Sequence, residues 1–123
     1  MAKKILVVDD EPGIVLIVTS RLKASGYDVI SASDGQAGLE MAQKEKPDLM
    51  ILDLMLPKLD GYKVCGLLKK DSRYSKIPII LFSAKAQESD MKLGKEMGAD
   101  AYLVKPFKPD VLLEKIQELL PAD

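Results

Sequence analysis

The chain has 123 residues, 47% hydrophobic and 30% charged, with 18 basic against 19 acidic side chains and a formal net charge of −1. That length and apolar content fit one domain with its own core, residues 1–123, with no room for a second; a balance so near zero argues against electrostatic binding to nucleic acid or a membrane surface. Histidine is absent and Cys65 is the single cysteine, which excludes a Ser/His/Asp triad, histidine metal ligands, a phosphohistidine on this chain and an intramolecular disulfide.

The opening MAKKILVVDD holds the apolar run Ile5-Leu6-Val7-Val8, too short for a signal peptide, and no stretch approaches the roughly 20 apolar residues that span a bilayer. A reducing cytoplasm is the expected location. The run reads as a first strand. The next segment, Ile14-Val15-Leu16-Ile17-Val18, is β-branched enough to form a strand, but Pro12 suits a first helical turn and Val15, Val18 and Leu22 recur at helical spacing, so a helix is predicted. Tyr27 to Ala32 is a more polar strand suited to a sheet edge, and Ser33 or Asp34 before Gln36 opens a second helix. Leu49-Met50-Ile51-Leu52 follows as a third strand, and Asp60 before Tyr62 opens a third helix, in which Cys65 reads as a small buried hydrophobe with no low-pKa setting.

Ile79-Ile80-Leu81-Phe82 is the fourth strand. In the helix after it, Gly94 costs about 1 kcal/mol relative to alanine, which marks that helix as soft and movable; Met91, Leu93 and Met97 read as core or edge packing. Ala101 to Val104 is a short strand for the other sheet edge, and a last helix runs from about Pro109 to Leu120. Gly26 and Gly98 follow helices and precede strands, as C′ glycines do.

The three central runs are too continuous for strands with one wet face and read as parallel strands covered on both sides. Five βα alternations predict an α/β fold, and right-handed crossovers place helices on both faces. The chain is too short for an eight-stranded barrel.

In such a sheet, ligands bind beyond the carboxyl ends of the strands. The residues there are Asp9 and Asp10, Asp53, Ser83 and Lys105. Singly, each has a plain structural reading: a helix cap at Asp9-Asp10-Glu11, a turn at Asp53, a backbone partner at Ser83 and a solvated lysine at Lys105. Together, carboxylates crowded on a partly dry rim either raise their pKa values or hold a cation. A ligand set of oxygens alone, with room for waters, favours Mg²⁺, and no D-x-D-x-D-G calcium loop occurs. Asp53 can then attack phosphorus to give an acyl phosphate, with Asp9 and Asp10 on the metal and Lys105 and Ser83 on the phosphoryl oxygens. No Walker A loop or G-x-G-x-x-G follows the first strand, so a nucleotide is not expected.

Four segments, KILVVDDEP (4–12), PDLMILDLMLPKLDG (47–61), PIILFSAK (78–85) and GADAYLVKPF (98–107), resemble the receiver domains of bacterial response regulators over essentially the whole chain. The resemblance implies a flavodoxin-like sheet of order 2-1-3-4-5 with five helices, Asp53 as phosphoacceptor, and a Mg²⁺ bound by Asp53, directly by Asp10, largely through water by Asp9, and by the backbone carbonyl of Met55. It implies a cis Lys105-Pro106 bond, and a switch pair of Ser83 and Tyr102 in which the hydroxyl bonds the phosphoryl group and the aromatic turns inward. Serine stands here where threonine is more usual and lacks its rotamer-restricting methyl, so looser coupling is expected. The implied partners are a histidine kinase or phosphotransfer protein and a downstream target or an output domain outside these residues, without direct nucleic-acid or membrane contact, in a monomer or a phosphorylation-dependent dimer. Such a domain is no turnover enzyme; it catalyses its own phosphorylation and a slow self-dephosphorylation. Two alternatives share the fold. An aspartyl-phosphate hydrolase would need a second acid where Met55 stands, and a flavin carrier would set its phosphate against the paired acids.

Overall fold

The computed structural model describes residues 2–84 and 87–120. Lys85, the last residue of the PIILFSAK segment, lies outside them. Among the described residues, strands and helices alternate as β1 (Lys4–Val8), α1 (Pro12–Ala24), β2 (Asp28–Ala32), α2 (Gly35–Glu45), β3 (Leu49–Asp53), α3 (Gly61–Lys70), β4 (Ile79–Ser83), α4 (Glu88–Glu96), β5 (Ala101–Val104) and α5 (Pro109–Leu119). All strand pairings are parallel, in the order β2-β1-β3-β4-β5.

Alternation of side chains along each strand divides the core in two. Leu6, Val8, Met50, Leu52 and Leu81 face α2 and α3 through Ala42, Val64, Cys65 and Leu68. Ile5, Val7, Ile51, Ile80 and Phe82 face α1 and α5 through Val18, Leu22, Leu112 and Ile116. β1, β3 and β4 are therefore buried on both sides, as their unbroken apolar runs predict, while β2 alternates between exposed and half-buried at one edge.

The ambiguous first segment is a helix, because Val18 and Leu22 need a 3.6-residue period to reach the sheet together. Its strand-like look comes from aliphatic residues on the outer face: Leu16 is 67% and Ile17 62% exposed. Asp34 caps α2 by accepting the Ala37 N–H at 2.8 Å, and Asp60 caps α3 by accepting that of Lys63 at 3.0 Å. Gly26 and Gly98 take left-handed φ values of 94° and 95° just beyond α1 and α4.

α4 departs from expectation in two respects. Gly94 is its buried residue, and a Cβ there would lie 3.0 Å from Leu81 Cδ1 and 3.2 Å from Tyr102 Cδ2; close packing, rather than softness, accounts for the glycine. Met97, three residues on, shares that inward face and packs on the core. Met91 and Leu93, expected to pack, are instead 38% and 37% exposed. A nine-residue helix seated on a glycine presents only a narrow stripe to the sheet.

Candidate functional site

The strand order determines which strand ends meet. β1 and β3 are neighbours in register Val8↔Leu52, so Asp9, one residue past β1, lies beside Asp53, the last residue of β3. β4 ends at Ser83 next to Asp53, and β5 runs beside β4 into Lys105. The residues singled out from sequence are thereby brought to one rim. Asp9, Asp10 and Asp53 each offer a carboxylate oxygen, and these oxygens lie within 4.8 Å of one another. Asp9 and Asp53 are only 1% and 3% exposed, Ser83 is fully buried, and Asp10 is open to solvent.

Lys105 reaches into the cluster. Its Nζ donates to Asp9 Oδ2 at 3.1 Å and Asp53 Oδ2 at 3.2 Å, and lies 3.8 Å from Glu11 Oε1. The ammonium also stands 4.7 Å from the centroid of the Phe82 ring, a cation–π contact from the strand beneath. The Lys105 backbone N–H is fixed by Ser83 O at 2.8 Å, and the Lys105–Pro106 bond is cis.

The other carboxylate oxygens are held by backbone. Asp9 Oδ1 accepts the Glu11 N–H at 2.9 Å and Asp53 Oδ1 the Met55 N–H at 3.1 Å. The loop after Asp53 is seated on the start of α2: the Gly35 N–H donates to Pro57 O at 3.3 Å, and a Cβ on Gly35 would fall 1.6 Å from Leu59 O. Gly61 is equally constrained, with a Cβ position 2.3 Å from Asp53 O. Sequence reasoning missed both as site residues. The signal was present in the Asp34-Gly35 and Asp60-Gly61 pairs, where a capping aspartate precedes the poorest non-proline helix former in a first turn.

Burial pushes the Asp9 carboxyl above its ordinary value, opposed by the Glu11 N–H and Lys105 and assisted by the charge on Asp53. Lys105 shows the converse balance. Burial pulls its pKa down, but the hydrogen bond to Asp9 and the charges of Asp53 and Asp9 prevail and leave it raised. Three carboxylates thus crowd about one ammonium that bonds only Asp9 and Asp53, a surplus of negative charge in a largely dry place. Oxygen donors alone, one of them solvent-facing, fit a hard divalent cation that keeps some of its waters.

Beside this cluster, Tyr102 of β5 is half-buried and packs, as Tyr62 does, against the core that α2 and α3 cover. Tyr62 in turn donates its hydroxyl to the backbone carbonyl of Asp90 at 3.0 Å. The sequence singled out Ser83 and Tyr102 together but used Tyr62 only to mark a helix start; hydrogen bonding between two helices leaves no trace in periodicity.

A model of the family described as response regulator receiver domain matches residues 5–117. The chain is 50% identical over 120 residues to the alkaline phosphatase synthesis transcriptional regulatory protein PhoP of Bacillus subtilis, covering 98% of this chain and 49% of that protein. It is 44% identical over 117 residues to the DNA-binding dual master transcriptional regulator RpaA of Synechocystis, covering 95% and 48%. The chain therefore spans about half the length of these relatives. Among solved structures, the Vibrio cholerae chemotaxis protein CheY4 matches with a TM-score of 0.91 at 34% identity, over 98% of this chain and all of that one. A putative response regulator from Chloroflexus aurantiacus matches with a TM-score of 0.93 at 31% identity, over 99% and 100%.

Proposed function

This chain belongs to the response regulator receiver domain family of two-component systems, and on that premise we propose that Asp53 accepts a phosphoryl group from a phosphohistidine of a partner kinase or phosphotransfer protein. The observation that carries the reading is a buried carboxylate at a strand tip, flanked by two more carboxylates and bonded to an ammonium. In the transfer, an Asp53 carboxylate oxygen forms a bond to phosphorus as the phosphorus–nitrogen bond of the donor breaks. The electron pair leaves with the imidazole. Lys105, already 3.2 Å from Asp53, exchanges a carboxylate oxygen for a phosphoryl oxygen, and the Ser83 hydroxyl donates to another. The Met55 N–H at 3.1 Å orients Asp53 toward the incoming group. Asp9, Asp10, Asp53 and the Met55 carbonyl would hold Mg²⁺, which when bound would supply charge neutralisation on the transferring group.

The donor's approach is marked on α1. Leu16 and Ile17 stand out from it: Ile17 lines an apolar groove of about 470 Å³ with Ile14, Phe107, Leu112 and Lys105, and Leu16 lines a second one with Asp9 and Asp10. We take this ridge as the surface on which the phosphodonor protein rests. A hydrolase has no support here, since the position two residues after Asp53 is Met55, an amide donor to Asp53 rather than a second acid; nor does the family match support a flavin carrier. Among the described residues no helix is long and apolar enough to cross a membrane. Because the named relatives are about twice as long, we further propose that any DNA contact of the whole protein lies outside these residues, whose net charge is −1.

Incubation with Mg²⁺ and acetyl phosphate or phosphoramidate, followed by intact mass, tests the reading. One phosphoryl group is expected on the wild type and none after Asp53→Ala or with EDTA. A wild type that gains no mass, or an Asp53→Ala protein that still does, overturns it.

A further inference from the structure

We propose that Phe82 is a positioning residue for Lys105, the face of its ring holding the ammonium beside Asp53 while the lysine changes partners. The proposal rests on the reading of Lys105 as the group that meets the phosphoryl oxygens, and adds an apolar residue of β4 to that machinery.

The register of the sheet sets Phe82 on the path of the lysine. β4 lies between β5 and β3, so Lys105 has to cross it, a span of roughly 10 Å between the outer backbones, to reach Asp53. Phe82 is the β4 partner of Asp53 on one side and of Leu103 on the other. Ile51, Phe82 and Leu103 all pack in the core toward α1 and α5, and Asp53, two residues beyond Ile51, shares that side by the period of a strand. Phe82 therefore sits between the strand that delivers the lysine and the acid it serves, and Lys105 Nζ stands 4.7 Å from the ring centroid. The phenylalanine is fully buried and the lysine side chain only 15% exposed. Little water competes for the charge at the ring face, the setting in which a cation–π attraction is strongest. Phe107 packs on the same ring edge to face, with centroids 5.7 Å apart and planes at 76°, and so fixes its tilt.

The use of an aromatic face lies in what it leaves free. An ammonium has three protons to give, and Lys105 directs bonds to Asp9 at 3.1 Å and Asp53 at 3.2 Å. Attraction to a ring acts on the charge as a whole and needs no directed N–H bond. It therefore persists while the bond to Asp53 is exchanged for one to a phosphoryl oxygen. Glu11 offers the competing position, since its carboxylate lies 3.8 Å from Nζ and is 63% exposed. An aliphatic side chain in place of Phe82 would supply volume but no attraction for the charge, and the ammonium would follow Glu11 outward during the exchange.

The test places mono-, tri- and pentafluorinated phenylalanine at position 82 of the full chain, because fluorine drains negative charge from the ring face with little change in size. Each protein is made with the native lysine and in a Lys105→Met background, which subtracts the effects of ring size and hydrophobicity. In EDTA, the unfolding equilibrium constant from urea denaturation is expected to rise stepwise with fluorination relative to that background, to about fivefold for the pentafluorinated ring. With Mg²⁺ and acetyl phosphate, the maximal rate of uptake at Asp53 is expected to fall stepwise, again by about fivefold, at an unchanged half-saturating donor concentration. Phe82→Leu is expected to match the pentafluorinated ring in rate; if it does not fold, the fluorinated series decides alone. Fluorination effects equal in the two backgrounds, or a pentafluorinated protein as fast as the wild type, would overturn the proposal. A wild type without uptake would overturn the phosphoacceptor reading instead, while the unfolding comparison still decides whether Phe82 holds Lys105.

Discussion

Where the strands begin, acidic groups are matched to donors. Asp48 accepts the Lys4 backbone N–H at 2.7 Å, and Asp100 Oδ2 accepts the Ile79 N–H at 2.8 Å and Lys69 Nζ at 2.9 Å. Lys69 spends its remaining protons on the carbonyls of Ser75 and Ile77, at 3.1 and 2.7 Å. Where the strands finish, Asp9 and Asp53 share one lysine that also stands near Glu11, with the Asp10 carboxylate crowded beside them. The same residue types serve closure at one end and an unmet demand for positive charge at the other. Stability resides in the first arrangement and chemistry in the second, because only an unsatisfied site gains by binding something.

The sharpest way to break this contrast is at Lys69. Lys69→Met keeps the aliphatic stem but leaves two carbonyls without this donor and Asp100 with only the Ile79 N–H, and the expected cost is about 3 kcal/mol. Urea unfolding at neutral pH measures it, and phosphoryl uptake at Asp53 should survive under conditions where the variant is folded. A loss of uptake in folded protein would mean that the two ends are not separable.

A smaller effect, of opposite sign at the two ends, comes from one isosteric change. At Asp53 an attraction to Lys105 over 3.2 Å competes with repulsion from two carboxylates up to 4.8 Å away. With an effective dielectric of about 20 the attraction is about 5 kcal/mol and the two repulsions together about 7, before the cost of burying the charge. Asp53→Asn should therefore stabilise the metal-free protein, by about 1 kcal/mol after solvent screening of Asp10. Asp100→Asn should destabilise it by about 1.5 kcal/mol, the worth of a hydrogen bond to a charged group. Unfolding midpoints in EDTA decide, and equal signs would abolish the distinction.

This contrast was only half legible in the sequence. Asp9, Asp53, Ser83 and Lys105 could be read because each ends an apolar run, and a parallel sheet brings such ends together. The helical nature of α1 was legible from its periodicity, whereas the strand order came only with the resemblance to receiver domains. Lys69 gave no such signal: as one of two lysines closing α3 it looks like a solvated end, and only the fold shows it folded back on the α3–β4 loop. The helical spacing of Val15, Val18 and Leu22 set Leu16 and Ile17 on the other face, but gave no sign of what covers them. Met91 and Leu93 were misread as packed, and Gly35, Gly61 and Tyr62 act through contacts between elements far apart in sequence.

Metal addition sharpens the comparison further. At a Mg²⁺ concentration ten times its dissociation constant, the wild type should gain about 1.4 kcal/mol, and Lys69→Met should gain the same amount. Asp53→Asn should gain less, having lost one ligand oxygen's charge. Thermal or urea midpoints with and without Mg²⁺ check this, and a gain that depends on Lys69 but not on Asp53 would locate the cation elsewhere.

The smallest expected effect is a slope with pH. Asp9 has its pKa raised in the folded protein by burial, with Asp53 adding to the rise against the pull of Glu11 N–H and Lys105. Between the unfolded value and the raised folded one, the native state holds more of the Asp9 proton than the unfolded state does. This residue's contribution to stability therefore declines as pH climbs through that window, and is flat above it. Lys105 acts at the other extreme: with its folded pKa raised despite burial, its contribution is complete below the unfolded value of 10.5 and is lost as pH rises through the folded one. In EDTA, the difference in unfolding free energy between wild type and Asp9→Asn should thus fall as pH increases from about 3.8. A difference independent of pH across the acid range would show that Asp9 titrates alike in both states, and that the rim is as well compensated as the opposite end.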